Sequence, residues 1–272
     1  MKHISKGILL LFLLFITGFV FSQEDIFTEP SESVWKKHVE LGIPKDGDSS
    51  DDYLIKRAQY VLSYNKNLNA ANWVSWNLSE DWFGKVKRYS KQFITDTSLP
   101  EDFETVKHKD YTKTGYDRGH MVRSEERTDS KINNKATFIL SNVLPQRADL
   151  NRGVWLRLER YCQKLCQKSQ KELYVISGGV FYSDKYIKNK IAVPDSCFKI
   201  IVILEKGEGL SNITASTEII AVMIPNKKGV RKHKWERYTT SVDAIESSTG
   251  YNFLSDIPDS VEDKIEEKVY GN

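Results

Sequence analysis

Residues 115–160, GYDRGHMVRSEERTDSKINNKATFILSNVLPQRADLNRGVWLRLER, bring Arg118, His120, Asn142, Asn151 and Glu159 into roughly a sixth of the chain. His120 follows Asp117, Arg118 and Gly119 in an apolar-flanked segment, and a glycine there lets the backbone approach something bulky, such as a phosphate. Thr137–Val143 is β-branched and apolar; it predicts a strand that closes in Ser141-Asn142 and turns at Pro145. Asn151 then stands at the cap of a helix, because Trp155, Leu158, Cys162 and Leu165 recur at i, i+3, i+7 and i+10 and share one face. The predicted order is strand, loop, strand, loop, helix.

These residue types point to phosphodiester chemistry. The amide oxygen of Asn151 and the carboxylate of Glu159 are hard ligands that suit Mg²⁺ better than a soft metal. His120 is then free of the metal, and a neutral imidazole is the natural acceptor of a proton from water near neutral pH. Arg118 offers a planar fork that matches phosphate oxygens. Taken singly, a histidine in a strand is most often a core or surface residue and an asparagine before a helix is most often a cap. Their ordered recurrence carries the inference.

DRGH at 117–120, LSNVLPQ at 140–146 and LNRGVWLRLE at 150–159 together resemble the DNA/RNA non-specific endonuclease family. The resemblance extends from about Tyr53 to Pro258. It implies an α+β fold with a mostly antiparallel central sheet flanked by helices and a ββα-metal (His-Me finger) site. It also implies Mg²⁺, with Mn²⁺ able to substitute, and DNA and RNA as substrates cut to 5′-phosphate and 3′-hydroxyl ends. Residue by residue, His120 becomes the general base, Asn151 the direct metal ligand and Glu159 the holder of metal-bound water. Asn142 and Arg118 position substrate and active-site groups. RYSKQFITD at 88–96 resembles the family's arginine-bearing segment and makes Arg88 a phosphate or transition-state contact. Two rivals stand beside this reading: a nuclease-like binding module that holds nucleic acid without cutting it, and a phosphodiesterase acting on small nucleotides.

The N-terminus, MKHISKGILLLFLLFITGFVFSQ, has a basic start and an apolar run from Ile8 to Phe21, too short for a membrane span and typical of a signal-peptide core. A leader over 1–22 predicts export, with no lasting membrane attachment once it is removed. Phe-Val-Phe-Ser departs from a small-x-small cleavage site, so an uncleaved anchor is the alternative. Those residues contain two lysines and no acid, so their loss lowers the formal charge from +3 to +1. Attraction to nucleic acid must therefore come from a local patch. Lys107, His108, Lys109 and Lys113, just upstream of DRGH, form such a cluster, and Lys109 and Lys113 are its candidate backbone contacts.

Residues 23–52 read as a polar arm with one short helix, Ser33–Leu41, and an acidic run DGDSSDD. The domain proper is read as 53–258 and opens with a hairpin. The hairpin's Tyr60, Tyr64, Trp73 and Trp76 are expected to pack rather than stack on bases. LYVISGGVF, CFKIIVILEKG and EIIAVMIPN predict central strands at 173–181, 197–207 and 218–226, with a bend or close packing at Gly178-Gly179. A helix and turn close the domain at 241–258, and 259–272 is a charged tail with at most a frayed helix. Cys162 and Cys166 lie one turn apart on the predicted helix, so either could pair only with Cys197.

Overall fold

The computed structural model describes residues 26–271, so the leader read over 1–22 lies outside the described residues. In chain order the strands are β1 (Tyr53–Lys56), β2 (Val61–Asn65), β3 (Ala70–Leu78), β4 (Asp117–His120), β5 (Val143–Gln146), β6 (Lys171–Val180), β7 (Tyr186–Ile187), β8 (Ile191–Ala192), β9 (Ser196–Glu205), β10 (Glu218–Pro225) and β11 (Thr239–Thr240). The α-helices are α1 (Glu32–Lys36), α2 (Lys131–Ala136), α3 (Leu156–Ser169), α4 (Val242–Thr249) and α5 (Asp259–Glu266). Seven strands form one antiparallel sheet in the order β1-β2-β3-β6-β9-β10-β11, while β4 and β5 make a separate two-stranded hairpin. The fold is α+β with helices on both faces of the sheet.

Alternation of side chains across the strands explains the layering. Val175, Ile201, Ile203, Ile220 and Val222 face one way and pack with Leu158 and Cys162 of α3 and with Met121, Val122 and Leu144 around the hairpin. Their neighbours Tyr174, Ile176, Ile200, Val202 and Ile219 face the other way, against Trp35, Val39, Val242, Ile245 and Ile265. Because both faces are covered, β6, β9 and β10 read as nearly continuous apolar runs. Tyr60, Tyr64, Trp73 and Trp76 are buried in these layers, as packing requires. Gly178 lies opposite Trp73, and a Cβ there would sit 2.3 Å from the Asn72 carbonyl oxygen, so close strand approach explains this glycine.

The segment after Ala136 departs from the expected strand. Lys131–Ala136 is a helix capped by Ser130 Oγ, and Leu140–Asn142 is a 3₁₀ turn. The second strand of the hairpin is Val143–Gln146, with Pro145 inside it opposite Arg118 rather than at a turn. Thr137–Val143 is apolar because it is buried beneath the hairpin, and burial of a short run does not distinguish a turn from a strand.

Trp35, Val39 and Leu41 bury against the sheet, so the short N-terminal helix is part of the core. The C-terminal segment likewise contains a packed helix, α5, anchored by fully buried Ile265. A buried ion pair, Arg57–Asp96 at 2.6 Å, ties the long irregular segment before β4 to the β1–β2 connection. Ser141 donates to the same carboxylate. All three cysteines are free and buried, so neither open pairing with Cys197 forms. Among the described residues no helix is long and apolar enough to cross a membrane.

Candidate active site

The hairpin β4–β5 and the turn leading into α3 hold most of the residues singled out in the sequence. Strand alternation sends Arg118 and His120 to one side of β4 and Asp117 and Gly119 to the other. Gly119 faces Gln146 on β5, and a Cβ there would lie 2.2 Å from Gln146 Oε1. The bulky group this glycine accommodates is therefore a buried side chain of the hairpin, not a phosphate.

His120 is wedged between Phe93 and Phe138, with ring centroids 5.0 and 4.9 Å away. Its Nε2 is buried with no hydrogen-bond partner. Burial, reinforced by the positive charges of Arg88 and Arg123 and partly opposed by Glu125, pushes its pKa down to about 3. The ring is therefore neutral at physiological pH. Arg88 stacks its guanidinium on Phe138 at 4.8 Å, so the arginine from the upstream segment does reach the histidine's surroundings. Arg118 lies over Phe93 and Tyr111 and donates to the His108 carbonyl oxygen at 2.6 Å and to Thr112 Oγ1 at 3.1 Å. These bonds moor the basic segment to the strand that carries His120. Lys109 and Lys113 of that segment are exposed.

At the start of β4, Asn151 Nδ2 donates to Asp117 Oδ2 at 3.0 Å. Asn151 is not a cap: it lies in the first turn of a widened helical segment, Leu150–Trp155, that is broken at Gly153 before α3 begins. With its amide nitrogen committed to Asp117, its carbonyl oxygen is the group left to face a cation. Arg152 forks onto both oxygens of Asp117 and raises its own pKa in doing so.

Asn142 is fully buried. Its Nδ2 donates to the carbonyls of Val122 (3.0 Å) and Thr137 (2.9 Å), and its Oδ1 accepts from Val122 N at 2.9 Å. The side chain is thus spent on backbone and shapes the hairpin's support instead of facing a substrate.

Glu159 is also buried. Burial drives its carboxyl up to about 7, against the opposing pull of Lys199 and Arg123. Arg123 Nε lies 3.6 Å from Glu159 and 3.0 Å from Glu125, and Glu125 in turn pairs with Arg88 at 3.2 Å. A chain of charges, Arg88–Glu125–Arg123–Glu159, therefore connects two residues read from the sequence through two that were not. Asp117, Arg152, Arg123 and Glu125 were missed as participants. Asp117 alone had a local signal, its place beside the histidine in DRGH; the others are recognisable only from pairing across the fold.

The geometry has counterparts among known proteins. A model of the DNA/RNA non-specific endonuclease family matches residues 39–260. A protein named "Nuclease" from Nostoc sp. is 41% identical over 253 residues, covering 91% of each chain. Endonuclease G, mitochondrial, from Homo sapiens is 29% identical over 217 residues, 75% of this chain and 70% of that one. The EndoG/EndoGI crystal structure, described as showing the mechanism of EndoG inhibition, superimposes with a TM-score of 0.70 at 26% identity, over 85% of this chain and 94% of the other. With the hairpin, the histidine and the asparagine in place, and a family match spanning most of its length, the chain belongs to the DNA/RNA non-specific endonuclease family.

Proposed function

We propose that this chain is an exported, Mg²⁺-dependent endonuclease that hydrolyses phosphodiester bonds of DNA and RNA without regard to sequence, with His120 as general base. The observation that carries the reading is the state of His120: a neutral imidazole held between two phenylalanines, with Arg88 close by and Arg118 on the same side of its strand. An arriving phosphate brings negative charge that counteracts the depression of the ring and restores its basicity. His120 takes a proton from water, whose oxygen bonds to phosphorus as the bond to the 3′ oxygen breaks. That oxygen leaves as a hydroxyl by taking a proton from solvent water, and the phosphate stays on the 5′ end.

The residues present fit a hard divalent cation. Asn151 would hold Mg²⁺ through its carbonyl oxygen, and the hydrogen bond from its amide to Asp117 fixes which end points outward. When bound, the ion offsets charge that develops on the phosphate and the departing oxygen. Arg88 and Arg118 orient phosphate oxygens, and exposed Lys109 and Lys113 lie where a polynucleotide backbone can follow the moored basic segment. Glu159, buried against Arg123, fits a positioning part exerted through Arg123 better than direct contact with substrate. Contacts to phosphate and sugar carry no base information, which supports action on both polymers. Export is supported by the short apolar run after Lys2 and Lys6 and by the absence of arginine from residues 1–22, unlike Arg-rich transit peptides.

The test is cleavage of supercoiled plasmid and of RNA with Mg²⁺ or EDTA, by the wild type and by His120→Ala. Both polymers should be cut, EDTA should stop it, and the substitution should lower the rate by about 10²–10⁴-fold with the fold intact. Near wild-type cutting by His120→Ala would remove the base from the mechanism. A folded wild type that binds but never cuts would make this a binding module.

A further inference from the structure

On the face of the sheet opposite the hairpin, α4 and α5 turn carboxylates toward one another. One carboxylate oxygen from each of Asp243, Glu246 and Glu266 lies within 4.8 Å of the others. Glu262, one turn before Glu266 on α5, adds a fourth acid. No lysine or arginine forms an ion pair with any of the four among the described residues. Like charges one helical turn apart destabilise a helix, and two such helices facing each other compound the cost. A fold does not keep such an arrangement cheaply without something between the acids.

Glu266 supplies the second observation. It is only 7% exposed, and its Oε1 is buried with no hydrogen-bond partner; Glu262 Oε1 is likewise buried and unpartnered. Burial, then repulsion from Glu246, Glu262, Asp243 and Asp263, drives the Glu266 carboxyl up to about 9. Protonation on the other oxygen would remove the charge but still leave Oε1 without a donor, at a cost typical of an unsatisfied buried polar atom. A cation satisfies both the charge and the oxygen. The acidic group at Asp46, Asp51 and Asp52 is half-exposed: Asp52 accepts from Ser63, Asn72 and Tyr251 and Asp51 from Asn65, while Asp51 Oδ1 is buried without a partner in a side chain that, unlike Glu266, is not itself buried.

We propose that Asp243, Glu246 and Glu266, with Glu262 beside them, form a Ca²⁺ site that clasps α4 to α5. Three or four converging carboxylates, one of them with an oxygen engaged by Phe253 N at 2.7 Å, suit the adaptable coordination of Ca²⁺. Mg²⁺ keeps most of its water and works with one or two carboxylates. The site is structural: binding there favours the folded chain and leaves the hairpin's chemistry untouched.

The test uses the full chain carrying Asn151→Ala, so that the hairpin does not contribute. CaCl₂ binding is followed by calorimetry and thermal unfolding is followed with and without CaCl₂. A single Ca²⁺ should bind and raise the midpoint of unfolding. The isosteric pair Glu246→Gln and Glu266→Gln should weaken binding by at least about tenfold, as should Asp243→Asn at an exposed position where misfolding is not a concern. The proposal fails if the Asn151→Ala chain neither binds Ca²⁺ nor is stabilised by it at millimolar concentration. It also fails if binding survives all three substitutions. Stabilisation by the two Gln substitutions with no response of the parent to Ca²⁺ would mean that the acids simply share protons.

Discussion

The Asn151 side-chain amide donates to Asp117 at 3.0 Å, across the gap between the helical turn and the first strand of the hairpin. Asp117 thereby chooses which end of the Asn151 amide faces outward. Asp117→Ala should raise the Mg²⁺ concentration for half-maximal cleavage by about 10–100-fold while leaving much of the rate at saturating Mg²⁺. Arg152→Ala should do less, because it removes a neighbour of Asp117 and leaves the Asn151 bond in place. An Mg²⁺ titration of plasmid cleavage decides this, and an unchanged requirement in Asp117→Ala would show that Asn151 is oriented by something else.

Gly119→Ala should destabilise the protein by about 1–3 kcal/mol, since the added methyl group meets the buried Gln146 side chain. The double variant Gly119→Ala, Gln146→Ala should recover part of that loss, because the clash disappears with the longer side chain. Urea denaturation of the three variants measures the coupling. Strict additivity of the two losses would contradict the assignment.

Arg123 is mostly buried between two acids, and Arg123→Ala should cost about 1–3 kcal/mol, chiefly by leaving the buried Glu159 carboxyl without its partner, because Glu125 keeps Arg88. Glu159→Gln should cost less than about 1.5 kcal/mol, since its carboxyl, driven up to about 7, is already partly protonated near neutrality. If the glutamine variant proved the more damaging of the two, the charge of Glu159 would be essential to the fold.

Acid should weaken the fold through His38. Its Nε2 donates to the Ala58 carbonyl at 3.0 Å and its Nδ1 accepts from Asn77 N at 3.1 Å, so only the neutral ring fits both partners. Burial, aided by Arg127, pushes its pKa from 6.5 down to about 3. The unfolded chain therefore binds the extra proton between those values. The contribution is fully present above pH 6.5 and is lost as pH falls toward 3. Between pH 6.5 and 4, His38 should account for about 2–3 kcal/mol of lost stability. His38→Gln should flatten the profile over that window, and an unchanged slope would exclude His38 as its source.

The parts legible in the sequence were those whose signal is local or periodic. The strands β6, β9 and β10 are buried on both faces, so their apolar runs stood out, and the helix bearing Leu158 and Cys162 kept its face. His120, Asn151 and Glu159 were legible through an ordered motif rather than through their individual surroundings. The second hairpin strand was displaced because the apolar run ahead of it is buried as a turn held by Asn142. Helix α2, six mostly polar residues, has too little periodicity to be seen. The partnership of Arg88 with Arg123 through Glu125 depends on segments some 37 positions apart, which no spacing rule encodes.

The three thiols have a consequence for how such a chain can be handled. Burial pushes Cys162 and Cys197 up to about 12 and raises Cys166 as well, so each remains protonated and shielded inside the core. Thiol–disulfide exchange needs an accessible thiolate, and none of the three offers one. The folded domain therefore holds together without a cross-link. Reductant in the buffer has no bond to break in it and leaves its cross-link state unchanged.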